Sequence, residues 1–242
     1  MYCGNNPIIF IDPDGRDRIY SASGRFIKDT GNGNKLLVRI GNNDVSLSKL
    51  NYNKKGTAYA VSRVIANEAK TIGYKGYYGV KKMKNDDTVA HTNSQNTVFF
   101  NTTQLKNGSG DNFYDMRSTL RHEADPVVGH KGPDANTFGG HALVYMNQTK
   151  GDEFYKSSPE NQSSAIAGFM FRAIKAQAEG DSVLGGMVSD FNKFHEGNYS
   201  IDYNFQGQNY SSFTVNDIKN NTSFSKNSEE IYKEIQNLKP NE

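Results

Sequence analysis

Three of the five histidines in this 242-residue chain, His122, His130 and His141, fall in one stretch from Arg117 to Gln148, RSTLRHEADPVVGHKGPDANTFGGHALVYMNQ, and Glu123 follows the first of them directly. Imidazole is the commonest metal ligand, and three protein ligands with a fourth position left open is the pattern of a catalytic zinc. A carboxylate beside such a centre is placed to take a proton from water. The compact version of this chemistry, HExxH, sets two imidazoles one helical turn apart with the glutamate between them. His122-Glu123 supplies the first half, but Pro126 stands four residues after His122. A second ligand must then come from the loop, where His130 is the nearest histidine. The stretch predicts a zinc hydrolase site on His122, His130 and His141, with Glu123 as general base. Asp125 and Asp134 are further candidates as oxygen ligands, and Tyr145 as an oxyanion donor, with turn and packing roles as the default for all three. A His-Glu pair that only hydrogen-bonds a helix end is the structural reading of the same residues.

Two other functions are consistent with these residues. A metal-dependent nuclease would hold a hard cation with Glu123 and an Asp, His122 activating water. A non-catalytic tip domain would keep the scaffold and bind a partner, and Pro126 is the best sign of that. A formal charge of +2 and scattered basic residues leave no Lys/Arg stripe, so no nucleic-acid partner is expected. The mean hydropathy of −0.74 is polar, but 14 Tyr and 14 Phe supply large buried area. Cys3 is the only cysteine, which excludes an intrachain disulfide or a thiolate cluster. No apolar run approaches the roughly 18–20 residues that span a bilayer. The start, MYCGNNPIIF, has no basic n-region or long apolar h-region, so no signal peptide is expected here.

The elements around this stretch set its geometry. Phe113, Met116 and Leu120 mark the buried stripe of a helix that Pro126 ends at about Ala124. Continued by three, the stripe lands on Glu123, with His122 on its flank. His141, Val144, Tyr145 and Gln148 share one face of a second helix. Upstream, residues 16–50 read as a small β-meander of four short strands separated by Gly/Asn turns. A helix over 56–72 follows, with Glu68 at its solvated edge, then strands at 79–83 and 97–101, with His91 as an exposed loop or strand residue between them. Downstream, Ser158-Pro159-Glu160 starts a helix with a core stripe of Ile166, Phe169, Met170, Ala173 and Ile174. Another helix runs over 182–195, where His195 is expected as a cation against the helix C-terminus. Tyr199, Ile201, Tyr203 and Phe205 alternate as a strand, and a last helix from Ser228 carries Ile231, Ile235 and Leu238. The fold class is α+β: a small N-terminal β-meander, then a mixed helix and antiparallel-sheet domain.

Two segments resemble known families. GNNPIIFIDPDG, ending at Gly15, resembles the C-terminal end of an RHS-repeat (YD-repeat) core: Gly-Asn-Asn-Pro, a strand, then Asp-Pro-x-Gly. In that family the segment closes a large β-shell, and the domain after it is commonly a secreted toxin. TLRHE followed by HALVYMNQ is similar to metallopeptidase-like toxin domains found after RHS cores, with the approximate pattern HExxH, a short loop, then His-Ala-x-Val-Tyr-x-x-Gln. Residue by residue, His122 matches the first ligand, Glu123 the general base and His141 the later histidine. His130 matches with four residues inserted. The likeness covers about residues 95–175 and implies a zincin-like layout. Together the resemblances imply an RHS-like tail at 1–15, a β-meander spacer at 16–52 and an effector domain at 53–242. They also imply a secreted or cell-surface location as the C-terminal part of a larger protein, a protein or peptide substrate, and an immunity protein as a further partner.

Overall fold

The structure, a computed structural model, describes residues 17–30, 33–127, 129–130, 136–207 and 210–238. The RHS-like residues 1–15 and Asp134 lie outside the described residues. In chain order the elements are β1 (Arg18–Ser21), β2 (Phe26–Asp29), β3 (Leu36–Ile40), β4 (Asn43–Ser46), α1 (Lys55–Thr71), β5 (Tyr77–Lys81), β6 (Ala90–Thr92), β7 (Thr97–Asn101), α2 (Thr102–Lys106), α3 (Phe113–Ala124), α4 (Phe138–Thr149), α5 (Pro159–Ala178), α6 (Leu184–Phe194), β8 (Tyr199–Asn204), β9 (Ser212–Asp217), β10 (Thr222–Lys226) and α7 (Ser228–Asn237). This is a mixed α+β protein. The chain divides into two compact units, residues 1–89 with 99–116 and residues 90–98 with 117–242.

In the first unit the four N-terminal strands take the order β2-β1-β3-β4. The expected meander is corrected here, because β3 lies parallel to β1, with Arg18 opposite Leu36 and Ser21 opposite Arg39. Central strands need apolar residues to bury, and β1 (Ile19, Tyr20) and β3 (Leu36, Val38) carry them. β2 is exposed throughout and ends in Lys28-Asp29, which suits an edge. Helix α1 buries Ala60, Val61, Val64, Ile65 and Ala69. Glu68 is also fully buried, not on the expected solvated edge. It accepts hydrogen bonds from the Tyr20 hydroxyl and, at 3.1 Å, from Arg18 Nη1. A carboxylate is tolerated inside a protein when it is paired and hydrogen-bonded in this way.

The second unit is built on α5. Its start has Ser158 accepting from the Asn161 N–H at 3.2 Å, with Pro159 as the first helical residue. Ile166, Phe169, Met170, Ala173 and Ile174 are buried as expected, against α6 residues Leu184, Val188 and Phe191. The Phe169 and Phe191 rings stack at 5.6 Å. Strand β8 runs antiparallel to β9, and β9 to β10. Tyr199 and Ile201 of β8 are buried and Phe205, just past the strand, packs half-buried against the core, so the expected alternation is broken at Tyr203, which is exposed. The cap of α7 is reciprocal: Asn227 accepts from the Glu229 and Glu230 N–H groups, and the Glu230 carboxylate accepts from the Asn227 N–H.

His195 corrects another expectation. It is fully buried, with its ring 4.2 Å from that of Phe191. Tyr155 Oη lies 2.7 Å from Nδ1 and Thr149 Oγ1 lies 3.0 Å from Nε2. Burial first, and the Lys150 charge second, bring its pKa down to about 4. The residue is a neutral core imidazole, because its ring turns inward instead of over the helix end. A pKa depressed in the folded state stabilises the fold above the unfolded value near 6.5. That contribution falls as pH drops from about 6.5 to about 4 and changes no further below. Urea melts across this window should show a shallower loss of stability with acidity in His195→Gln than in the wild type.

Candidate metal centre

Helix α3 ends at Ala124, as Pro126 dictates, and the chain then doubles back. The Gly129 N–H donates to the Asp125 carbonyl at 3.1 Å, and the His130 N–H donates to the His122 carbonyl at 3.0 Å. The second bond satisfies one of the carbonyls left over at a helix C-terminus. It also sets the backbone of His130 beside that of His122. Gly129 is required for this turn. A Cβ there would stand 2.6 Å from the Asp125 carbonyl oxygen and 2.8 Å from its nitrogen. Helix α4 is started by Thr137, whose hydroxyl accepts from the Gly140 N–H at 2.9 Å, and its opening turns carry His141.

These three backbones aim their imidazoles at one point. His122 Nε2 lies 3.0 Å from His130 Nε2, His130 Nε2 lies 2.8 Å from His141 Nε2, and His141 Nε2 lies 3.3 Å from His122 Nε2. The rings are inclined to one another by 41°, 85° and 50°, so they converge and do not stack. His122 and His141 are both buried, which places His122 inside and not on the expected flank. Zinc–nitrogen bonds of ~2.0–2.1 Å at tetrahedral angles place ligand nitrogens about 3.3 Å apart. The three sides lie within about 0.5 Å of that, a gap that small ring rotations close. The residues fit a metal ion, and His122, His130 and His141 are the group among the described residues that could hold one.

A second layer of contacts fixes these imidazoles. Gln148 Oε1 lies 3.0 Å from His122 Nδ1, and Gln148 Nε2 donates to Ser118 Oγ at 3.0 Å. With the amide oriented by Ser118, its oxygen accepts the Nδ1 proton, and the lone pair of His122 is left on Nε2. The Tyr145 ring lies 4.3 Å from His122 and is stacked on His141 at 5.3 Å. It fits against α5 because residue 168 is glycine, where a Cβ would stand 2.5 Å from the ring. Tyr145 is thus a packing residue, and the Arg172 guanidinium lies 4.7 Å from its ring centre. Burial, with the charges of His130, His141 and Arg172 nearby, pushes the His122 pKa well below the usual imidazole value. Burial and Arg172 bring that of His130 down to about 4. Neutral imidazoles are the ligating form.

Glu123 is also buried, and its Oε2 lies 3.9 Å from His130 Nδ1 and 2.6 Å from Thr92 Oγ1. Asp125 serves the turn: Oδ1 accepts from the Val127 N–H at 2.9 Å and Oδ2 from Asn147 Nδ2 at 3.3 Å. His91 is a half-buried residue of β6. Thr92, Ser118, Gly129 and Arg172 were not legible as site residues. Ser118 stands four before His122 on one helical face, which is the one spacing signal among them. Gln148 was legible only as a residue on the His141 face.

Imidazoles that converge from a helix end, a loop and a second helix, with a glutamate beside them, form a group that could hold a metal ion. The comparison with known families agrees. The chain belongs to the family described as metallopeptidase toxin 2, whose model matches residues 19–205 and so spans all three histidines and Glu123. No curated protein and no solved structure matches it.

Two substitutions probe the layer around the ligands. Gly129→Ala should displace His130 and weaken metal binding at least tenfold in a chelator competition. Gln148→Ala should weaken it by roughly 10–100-fold, the usual effect of removing a partner behind a ligating histidine.

Proposed function

We propose that this chain is a zinc-dependent peptidase toxin domain, with the metal on His122, His130 and His141 and Glu123 as general base. The observation that carries this is the convergence of three Nε2 atoms within 2.8–3.3 Å of one another. An all-imidazole set favours zinc over a hard cation, which prefers oxygen ligands. The same donor set argues against the nuclease reading, as does the engagement of Asp125 in its own turn. When bound, zinc supplies a Lewis acid for a carbonyl oxygen and for water. Glu123 takes one proton from the attacking water as the water oxygen bonds to the carbonyl carbon. It gives that proton to the amine nitrogen as the C–N bond breaks.

The fold reading that goes with this is zincin-like, with 1–15 as an RHS-like tail, 16–52 as a spacer and 53–242 as the effector. In this reading the protein leaves its producing cell as the C-terminal part of a larger RHS-type protein, acts on a protein or peptide, and is held in check by an immunity protein. No helix among the described residues is long and apolar enough to cross a membrane.

Elemental analysis of protein purified without chelators should find about one zinc per chain, lost in His122→Ala and in His141→Ala. Glu123→Gln should keep the metal and lose roughly 10²–10⁴-fold in peptide cleavage. Protein that is metal-free after such a preparation would instead support the non-catalytic tip domain.

A further inference from the structure

A general base needs a fixed carboxylate, and glutamate has a long, freely rotating side chain. Around Glu123 a close contact comes from a residue far from it in sequence. Thr92, the last residue of β6, has its Oγ1 2.6 Å from Glu123 Oε2 and 3.0 Å from the Glu123 main-chain carbonyl oxygen. The first distance is that of a charge-assisted O–H···O⁻ hydrogen bond. The hydroxyl has one proton to give, and the shorter of the two distances is to the carboxylate.

The hydroxyl is itself well placed. Threonine is branched at Cβ and stiff about χ1. The turn that follows is locked, with the Asn93 N–H donating to the Thr97 carbonyl at 3.0 Å and Asn93 Oδ1 accepting from the Gln95 and Thr97 N–H groups at 3.0 and 2.9 Å. Valine has the same shape and would fill the same strand position, so packing alone does not call for the hydroxyl.

We propose that Thr92 is a positioning residue, whose hydroxyl holds the Glu123 carboxylate beside His130 in the orientation that proton transfer requires. The catalytic part of this inference rests on the peptidase reading above. The hold on the carboxylate does not, because it is measurable without metal or turnover.

The test uses the full chain labelled with ¹³C at the glutamate carboxyl carbons, at one neutral pH, with and without zinc. The Glu123 resonance is assigned by its loss in Glu123→Gln. Thr92→Val should move that resonance in both forms, and Thr92→Ser should leave it in place. In the zinc-loaded protein, Thr92→Val should retain one metal per chain and a KM within twofold of wild type, with kcat down at least tenfold. Thr92→Ser should recover kcat to within threefold. Thr92→Ala serves the same comparison if the valine variant does not fold. An unmoved resonance, or an unchanged kcat in a variant of an active wild type, overturns the proposal. A zinc-loaded wild type that cleaves no peptide overturns the peptidase reading and the catalytic role of Thr92 together, and the resonance still decides whether the hydroxyl holds the carboxylate.

Discussion

The hydrogen bond from the His130 N–H to the His122 carbonyl is the constraint on which the centre depends. It joins the end of a helix to a loop residue eight positions later, so two of the three imidazoles share one rigid piece of backbone. Helix α3 cannot continue past Pro126, and an unconstrained loop would carry its imidazole anywhere. The close approach of Gly129 to Asp125 removes that freedom. What the short HExxH spacing achieves within one helix is reached here by a turn folded onto a helix end. The Thr137 cap then fixes where α4 begins, and hence where the third imidazole points.

The polar groups of the centre are arranged in layers that each remove one freedom. Ser118 orients Gln148, and Gln148 selects the nitrogen of His122 that carries its proton. Tyr145 holds the planes of His122 and His141, and it can do so only because Gly168 leaves room for its ring. The depressed pKa values of His122 and His130 follow from the same burial that orders the rings. Precise aim and readiness to ligate thus have one cause.

Much of the framework was legible from local pattern. The stripe of Phe113, Met116 and Leu120 located α3, Pro126 located its end, and Ser158-Pro159 located the start of α5, because caps, prolines and apolar periods act within a few residues. The three histidines and Glu123 could be picked out by residue type. What escaped depends on contacts distant in sequence. Glu68 looked like a solvated edge because Tyr20 and Arg18 lie 48 and 50 residues away. Thr92 is 31 residues from Glu123, and a strand threonine has no local mark of a role. His195 looked like a helix-end cation because the inward turn of its ring is set by Phe191, Tyr155 and Thr149 jointly. The parallel pairing of β1 with β3 was hidden for a similar reason. Which strand becomes central is decided by the burial available to the whole sheet. Strand β9 does carry a local signal, the alternation of buried Phe213 and Val215.

The triad also stands where one helix stops and another starts, with His122 in the last turn of α3 and His141 near the first turn of α4. The C-terminus of a helix carries partial negative charge and the N-terminus partial positive charge, each of about half an elementary charge. A cation at the triad is drawn by the end of α3 and repelled by the beginning of α4, and for an anion both signs reverse. The two backbone fields oppose each other at this point, so neither charge is strongly favoured by the helices alone. Affinity and selectivity for an ion are left to the side chains, where single substitutions can tune them.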